Sequence, residues 1–260
     1  MGLKNDKSLA AVFLDSLVAK FSFAGAVPDK FVFIPTDYHL GSTEKARELL
    51  NGHVPFAKGK IASPIELFNS DNFSNSHAFL ELNKFNFLRD LRALGGDNAR
   101  HFARSAIMGW QGLFSVPDTV LWRHDILAHR LANLIAFYEF YGESADNTFK
   151  EKLFTIIAKQ ARYLFKTASS LNYMESEFLA VLKALCYVAV SLEMFREKLP
   201  CVLKMLEEAN LAQLDVAGHH ISRSPYHTFL ALDYVVAMEQ VLKANKIEYP
   251  PVLNDMVHKL

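Results

Sequence analysis

147-NTFKEKLFTIIAKQARYLFKTASSLNYMESEFLAVLKALCYVAVSLEM-194 reads as two helices and the corner between them. Apolar side chains recur through both halves at the three-to-four-residue spacing that lines one side of an α-helix. The pattern stops at Ser169-Ser170 and resumes near residue 174. So short a connection forces the second helix to fold back antiparallel on the first. The stretch is a helix hairpin.

The same period extends both ways, over 77–94, 98–114 and 124–141 before it and over 197–213 and 228–245 after it, which makes seven helices. Their breaks are Gly95-Gly96-Asp97, Pro117-Asp118, Gly142 with Asp146, Ser169-Ser170, Pro200 and the stretch from Gly218 to Pro225. Two of the breaks, roughly 50 residues apart, end in an Asp-Asn helix-capping signal, a period that suits a two-helix repeat. Such hairpins stack as an open solenoid or curve into a ring. No motif of the common named repeats is present, so the expectation is an all-α ring of antiparallel hairpins over residues 76–260.

Residues 1–75 form an irregular lead-in. Leu9, Val12, Phe13, Leu17 and Phe21 fall at helical spacing, and Asp15 and Lys20 argue against a secretory signal there, so an amphipathic helix is expected. Phe31 to Ile34 precede Pro35 and are expected to be extended. A small helix over 43–51 follows, and Gly52, Pro55, Gly59 and Pro64 keep the backbone irregular beyond it.

Composition narrows the classes. The chain is 51% hydrophobic but has no apolar run of about 20 residues, so no membrane span is expected. Lys+Arg and Asp+Glu balance at 28 each, which gives no global field for nucleic acid, and a polyanion would have to be held by a local cluster. Cys186 and Cys201 read as buried thiols rather than a disulfide framework, which points to a reducing, cytoplasmic setting with the periplasm as the other choice.

Three segments could carry chemistry. In 215-DVAGHHISRSPYHTFLALDY-234 three His, an Arg, two Ser and a Tyr crowd a helix entrance; Ser224 reads as N-cap, Pro225 as the first helical residue, and Tyr226 and His227 as the first turn. A helix start favours anions, and Arg223 could grip a carboxylate beside it. The plainer reading is a capped surface turn with solvated histidines. Metal ligation by His219, His220 and His227 lacks any standard zinc spacing, so neither metal nor cofactor is expected. The second segment is 169-SSLNYMESEF-178, where Asn172 is a turn residue or a ligand group. In the third, 122-WRHDILAHRLANLIAF-137, the side chains of Arg123, His124, His129 and Arg130 would make one basic face.

These segments, with Gln160-Ala161-Arg162-Tyr163-Leu164 and above all 220-HISRSP-225 after a helix ending in Gln213, resemble the helical domain of the heparinase II/III-like family, in its bacterial branch. The resemblance runs from about residue 28 to the end. It implies an incomplete α/α toroid followed by a β-sandwich domain, and lyase action on acidic, uronate-containing polysaccharides by β-elimination. That reaction must neutralise a carboxylate and place a base beside the neighbouring carbon.

The resemblance assigns Asn172 to the carboxylate and Tyr226 to the proton, with His220, Arg223 and His227 supplying positive field and Arg130 a further substrate contact. It further implies that the β-sandwich lies outside this sequence, so that the chain is expected to be a domain excised from a longer protein or a naturally shortened homologue, inactive without that domain. Three departures bear on the mechanism: Tyr173 follows the Asn where family members often have His, Ala217-Gly218-His219 replaces Asp-Gly-Gly, and the Pro225-Tyr226-His227 spacing is one residue tighter. The alternatives are a non-catalytic helical module binding glycan or protein, and a glycoside hydrolase on a related ring. The latter needs two carboxylates facing one cleft, and no Asp or Glu lies within 217–227.

Overall fold

The computed structural model describes residues 25–54, 57–73, 76–114, 120–175, 177–215 and 219–260; the helix expected over residues 9–21 and the Pro117-Asp118 break lie outside them. Among the described residues the regular structure is helical, with no strands and two isolated β-bridges. The helices are α1 (Thr43–Leu50), α2 (Ser76–Leu82), α3 (Phe87–Leu94), α4 (Gly96–Phe114), α5 (His124–Ala136), α6 (Tyr138–Tyr141), α7 (Asn147–Thr167), α8 (Glu177–Ser191), α9 (Leu199–Gln213), α10 (Pro225–Ala244) and α11 (Pro251–Lys259). None of the helices is long and apolar enough to cross a membrane.

Helix α8 is the hub. Its sequence is apolar nearly all the way round, and a helix of that kind has to be covered on every side. The fold obliges: α5 and α10 flank it, and α7 and α9 pack against it as well. Only Glu177 and Lys183 of its fifteen residues escape full burial. The lead-in crosses the end of this assembly, where the Val32 N–H donates to the Ser191 carbonyl (2.9 Å) and the Phe31 ring meets Tyr138 and Phe154.

Two helices expected to be continuous are broken, each near a backbone carbonyl taken by a side chain, distant in the first case and local in the second. Within 77–94, Arg130 Nη1 donates to the Asn83 carbonyl (3.1 Å) and Asn133 Nδ2 to that of Lys84 (2.8 Å). An unbroken helix would spend those carbonyls on amides four residues on. The chain instead turns through Phe85 at φ 62°, and the fully buried Phe85 ring packs among Phe68, Phe87 and Trp110. Within 124–141, the Tyr141 hydroxyl donates to the Leu134 carbonyl at 2.6 Å, and the helix breaks at Phe137.

Helix starts follow their caps. Asp146 accepts the Phe149 amide at α7, and Ser224 accepts the His227 amide at α10, with Pro225 first in the helix as its chemistry requires. Asp97, the other expected cap, lies inside α4, which starts one residue earlier at Gly96; Gly95 and Gly96 are both at positive φ. The thiols are free. Cys186 is buried, with its ionisation pushed up to about 12, whereas Cys201 is exposed, against the expectation of two buried thiols.

Candidate functional site

A cleft of about 280 Å³ opens where the start of α5, the 171–175 turn and the start of α8 meet. It is lined by Arg123, His124 and Asp125 at the start of α5, by Asn172 and Glu175 of the turn, and by Glu177, Phe178 and Val181 of α8. The Asn172 carbonyl oxygen Oδ1 accepts the Met174 amide (3.1 Å), which leaves its NH2 group to donate elsewhere. Buried Gln213 holds this turn in place by donating to the carbonyls of Tyr173 (2.7 Å) and Glu175 (2.8 Å), while the Tyr173 ring stacks on Phe178.

The cleft's charges are mostly spoken for. Arg123 grips Asp125 with two hydrogen bonds, which holds that carboxyl below its ordinary range although burial pushes the other way. His129 Nε2 lies 3.6 Å from a Glu177 carboxylate oxygen and 3.3 Å from the Tyr234 hydroxyl. Burial lowers the His129 pKa and the contact with His129 lowers that of Glu177, so the pair rests as neutral imidazole and carboxylate. His124 is different. Burial lowers its pKa too, and its Nε2 is buried with no hydrogen-bond partner among the described residues.

The same Gln213 joins the cleft to the corner before α10, because its carbonyl accepts the Ile221 amide (2.8 Å). There, Ser222 Oγ sits between two imidazoles, 2.7 Å from His220 Nδ1 and 3.1 Å from His227 Nδ1. The proton positions follow by elimination. The Ser222 amide donates to His220 Nδ1, so that nitrogen carries no hydrogen, and the Ser222 hydroxyl also donates to it. Having spent its one hydrogen, the hydroxyl accepts from His227 Nδ1–H and from the Ser224 amide, and in the neutral imidazole His227 Nε2 is then the acceptor. Tyr226 beside it is 66% exposed.

The residues singled out by sequence therefore separate. Asn172 lines the cleft. His220, His227 and Tyr226 gather at the start of α10, with the His227 ring 5.9 Å from that of His220 and 5.7 Å from that of Tyr226. Arg130 does not join them, and its expected role as a substrate contact is corrected: it is fully buried, donates to Gln160 Oε1 (2.9 Å) and to the Asn83 and Leu121 carbonyls, and lies over the Trp110 ring.

The basic face expected of 122–137 is split, because Arg123 precedes the first residue of α5 and is exposed whereas the core claims Arg130. Of the groups expected to give Tyr226 a positive field, Arg223 and His220 are engaged with other partners. Arg223 is paired with Asp215 at 2.8 Å, and His220 accepts at Nδ1 while burial and its neighbour His227 lower its pKa. Asp215 additionally meets His219, and among the described residues no three His, Cys, Asp or Glu side chains converge as metal ligands.

Sequence reading passed over Glu177 and Tyr234. A signal for Glu177 existed: 177-EFLAVLKALCYVAVS-191 carries two charges in an otherwise apolar helix, and each lies where the hub is open.

No family model matches the sequence, and no curated protein matches it significantly. Solved structures do match. A heparan sulfate lyase mutant from Pedobacter heparinus superposes over 96% of this chain with a TM-score of 0.66 at 14% identity. A heparinase III gene product with methylated lysines does so over 96% with a TM-score of 0.66 at 12% identity. The chain has the fold of the heparinase III helical toroid, as the sequence resemblance implied. It spans 42% and 45% of the length of those two proteins.

Proposed function

We propose that this chain is the helical part of a polysaccharide lyase that cleaves a uronate-containing glycan by β-elimination, with the sugar carboxylate seated in the Asn172 cleft. The observation that carries the reading is that one cleft is lined both by Asn172, whose amide keeps free donors, and by His124, whose buried Nε2 has no partner among the described residues. Buried polar groups are nearly always satisfied, so an unsatisfied one on a residue lining a cleft is suited to a ligand. Two hydrogen bonds to the carboxylate would stabilise the charge that builds on it as the neighbouring carbon loses its proton.

The start of α10 supplies the proton chemistry. Among the described residues no cation bonds the Tyr226 hydroxyl, whereas His227, oriented through Ser222, can present Nε2 as a base. In this reading His227 Nε2 takes the proton beside the carboxylate, the electron pair becomes the carbon–carbon double bond, the bond to the leaving oxygen breaks, and the Tyr226 hydroxyl protonates that oxygen. Any further catalytic groups would come from the β-sandwich domain that the family resemblance implies.

The test is to incubate the chain, and the longest polypeptide its reading frame encodes, with heparan sulfate, alginate and neutral dextran while following the ultraviolet absorbance of the unsaturated uronate. Product is expected from an acidic polymer only, and Asn172→Ala and His227→Gln should each lower the rate by about a hundredfold or more. A flat trace with every polymer sinks the lyase reading. Retention of acidic glycan without product would leave a glycan-binding module instead.

A further inference from the structure

A second cavity, of about 200 Å³, lies beneath residues 36–39, between the lead-in and the middle of α8 and α10. It shares no lining residue with the Asn172 cleft. Lys183 forms part of its lining, and the ammonium group, within 5.1 Å of the Tyr234 ring centroid and 5.9 Å of that of Tyr187, has no hydrogen bond or ion pair among the described residues. Burial lowers its pKa. A half-buried ammonium with three unspent donors is costly unless something in the cavity accepts from them.

Two carboxylates line the same cavity and are engaged differently. Asp37 is taken by Arg89 through both oxygens (3.2 and 2.7 Å), whereas Asp233 meets His39 through one oxygen only (Oδ1, 2.8 Å), so its other oxygen is available to accept. Gln240 follows two helical turns after Asp233, and Tyr38 at the rim is 68% exposed. Donor, acceptor, amide and aromatic ring around one small space match the surface of a sugar ring, whose adjacent hydroxyls both donate and accept and whose C–H face is apolar. A ring bearing its own carboxylate would meet Asp37 and Asp233.

We propose that this cavity binds a single uncharged pyranose ring, with Lys183 and Asp233 dividing its adjacent hydroxyls between them and Tyr38 covering its face. The assignment goes beyond the lyase reading and stands without it, since the two sites have separate linings.

The experiment uses the isotopically labelled chain and two probes that differ only in charge, methyl glucoside and methyl glucuronide, with backbone amides followed by NMR. Methyl glucoside should shift the amides of 36–39 and 233–240 saturably and bind about tenfold more tightly than the glucuronide; Lys183→Met should weaken it by about tenfold or more, since a hydrogen bond to a charged group is lost. Because Asp233→Asn also breaks the His39 pairing, Lys183→Met is the primary variant, and a thermal midpoint no lower than that of the parent shows that it folds. Absence of saturable shifts, preference for the glucuronide, or undiminished binding by folded Lys183→Met would each overturn the proposal. Lyase activity plays no part in the readout, so a flat ultraviolet trace leaves this result standing.

Discussion

Arg123 and Arg130 stand seven residues apart at the start and in the middle of α5, and their surroundings are opposite. Arg130 is sealed in the core, where burial pushes its ionisation down to about 9, still charged at neutral pH, and every nitrogen of its guanidinium meets an acceptor from a different part of the chain. Arg123 is 54% exposed, holds one carboxylate two residues away, and looks into the cleft. What separates the buried arginine from the one lining the cleft is the saturation of its donors and the distance in sequence of its partners. The residue type and the helical period are the same for both.

Removing the buried partner should have the largest effect. Arg130→Ala is expected to destabilise the fold by about 3–5 kcal/mol in denaturant titration, because it strands Gln160 and two buried carbonyls and opens a space beside Trp110. Arg130→Lys should recover only a small part, since one ammonium cannot reach three acceptors in the plane a guanidinium spans. A loss under about 1 kcal/mol for Arg130→Ala would break the contrast with Arg123.

His129, between the two arginines, should give an intermediate effect that depends on pH. Burial lowers its folded pKa, so as the pH falls the unfolded chain takes up the proton first. The associated stability is therefore complete above the unfolded value near 6.5 and is lost as the pH falls through the folded value. Glu177, whose pKa is lowered by the same contact, loses its share only at lower pH, below the usual carboxylate range near 4.3. His129→Gln should flatten the decline of unfolding free energy just below pH 6.5, and an unchanged slope would show that the imidazole is not held neutral by the fold.

The smallest expected effect is at Arg123. Its ion pair is exposed and local, so Arg123→Ala should change stability by less than about 0.5 kcal/mol. If the Asn172 cleft takes a uronate, the same variant should still weaken glycan retention on an affinity gel. Destabilisation comparable to that of Arg130→Ala would erase the distinction between the two residues.

Much of this architecture can be read locally. The apolar period of α7 and α8, the Ser-Ser corner between them, and the Ser224-Pro225 start of α10 are patterns among residues a few positions apart, and each stands where the sequence places it. The division of 77–94 is another matter. Nothing within Ser76 to Leu94 announces it, because the groups that take the Asn83 and Lys84 carbonyls are Arg130 and Asn133. The site divides in the same way: Asn172 was reachable through the resemblance and Glu177 through its isolation in an apolar helix, but the proton order of His220, Ser222 and His227 needs the geometry of hydrogen bonds.

Side-chain polarity repeating every three or four residues commits the backbone to helices, and caps and corners set where they start and turn back, since those energies lie between near neighbours. Which polar group ends in the core and which faces a hollow is settled only when distant parts of the chain meet, as Tyr234 meets His129 across 105 positions and Arg130 meets Asn83 across 47. Burial and pairing belong to the assembled fold, so Arg130 and Arg123 become different residues only after the helices have packed.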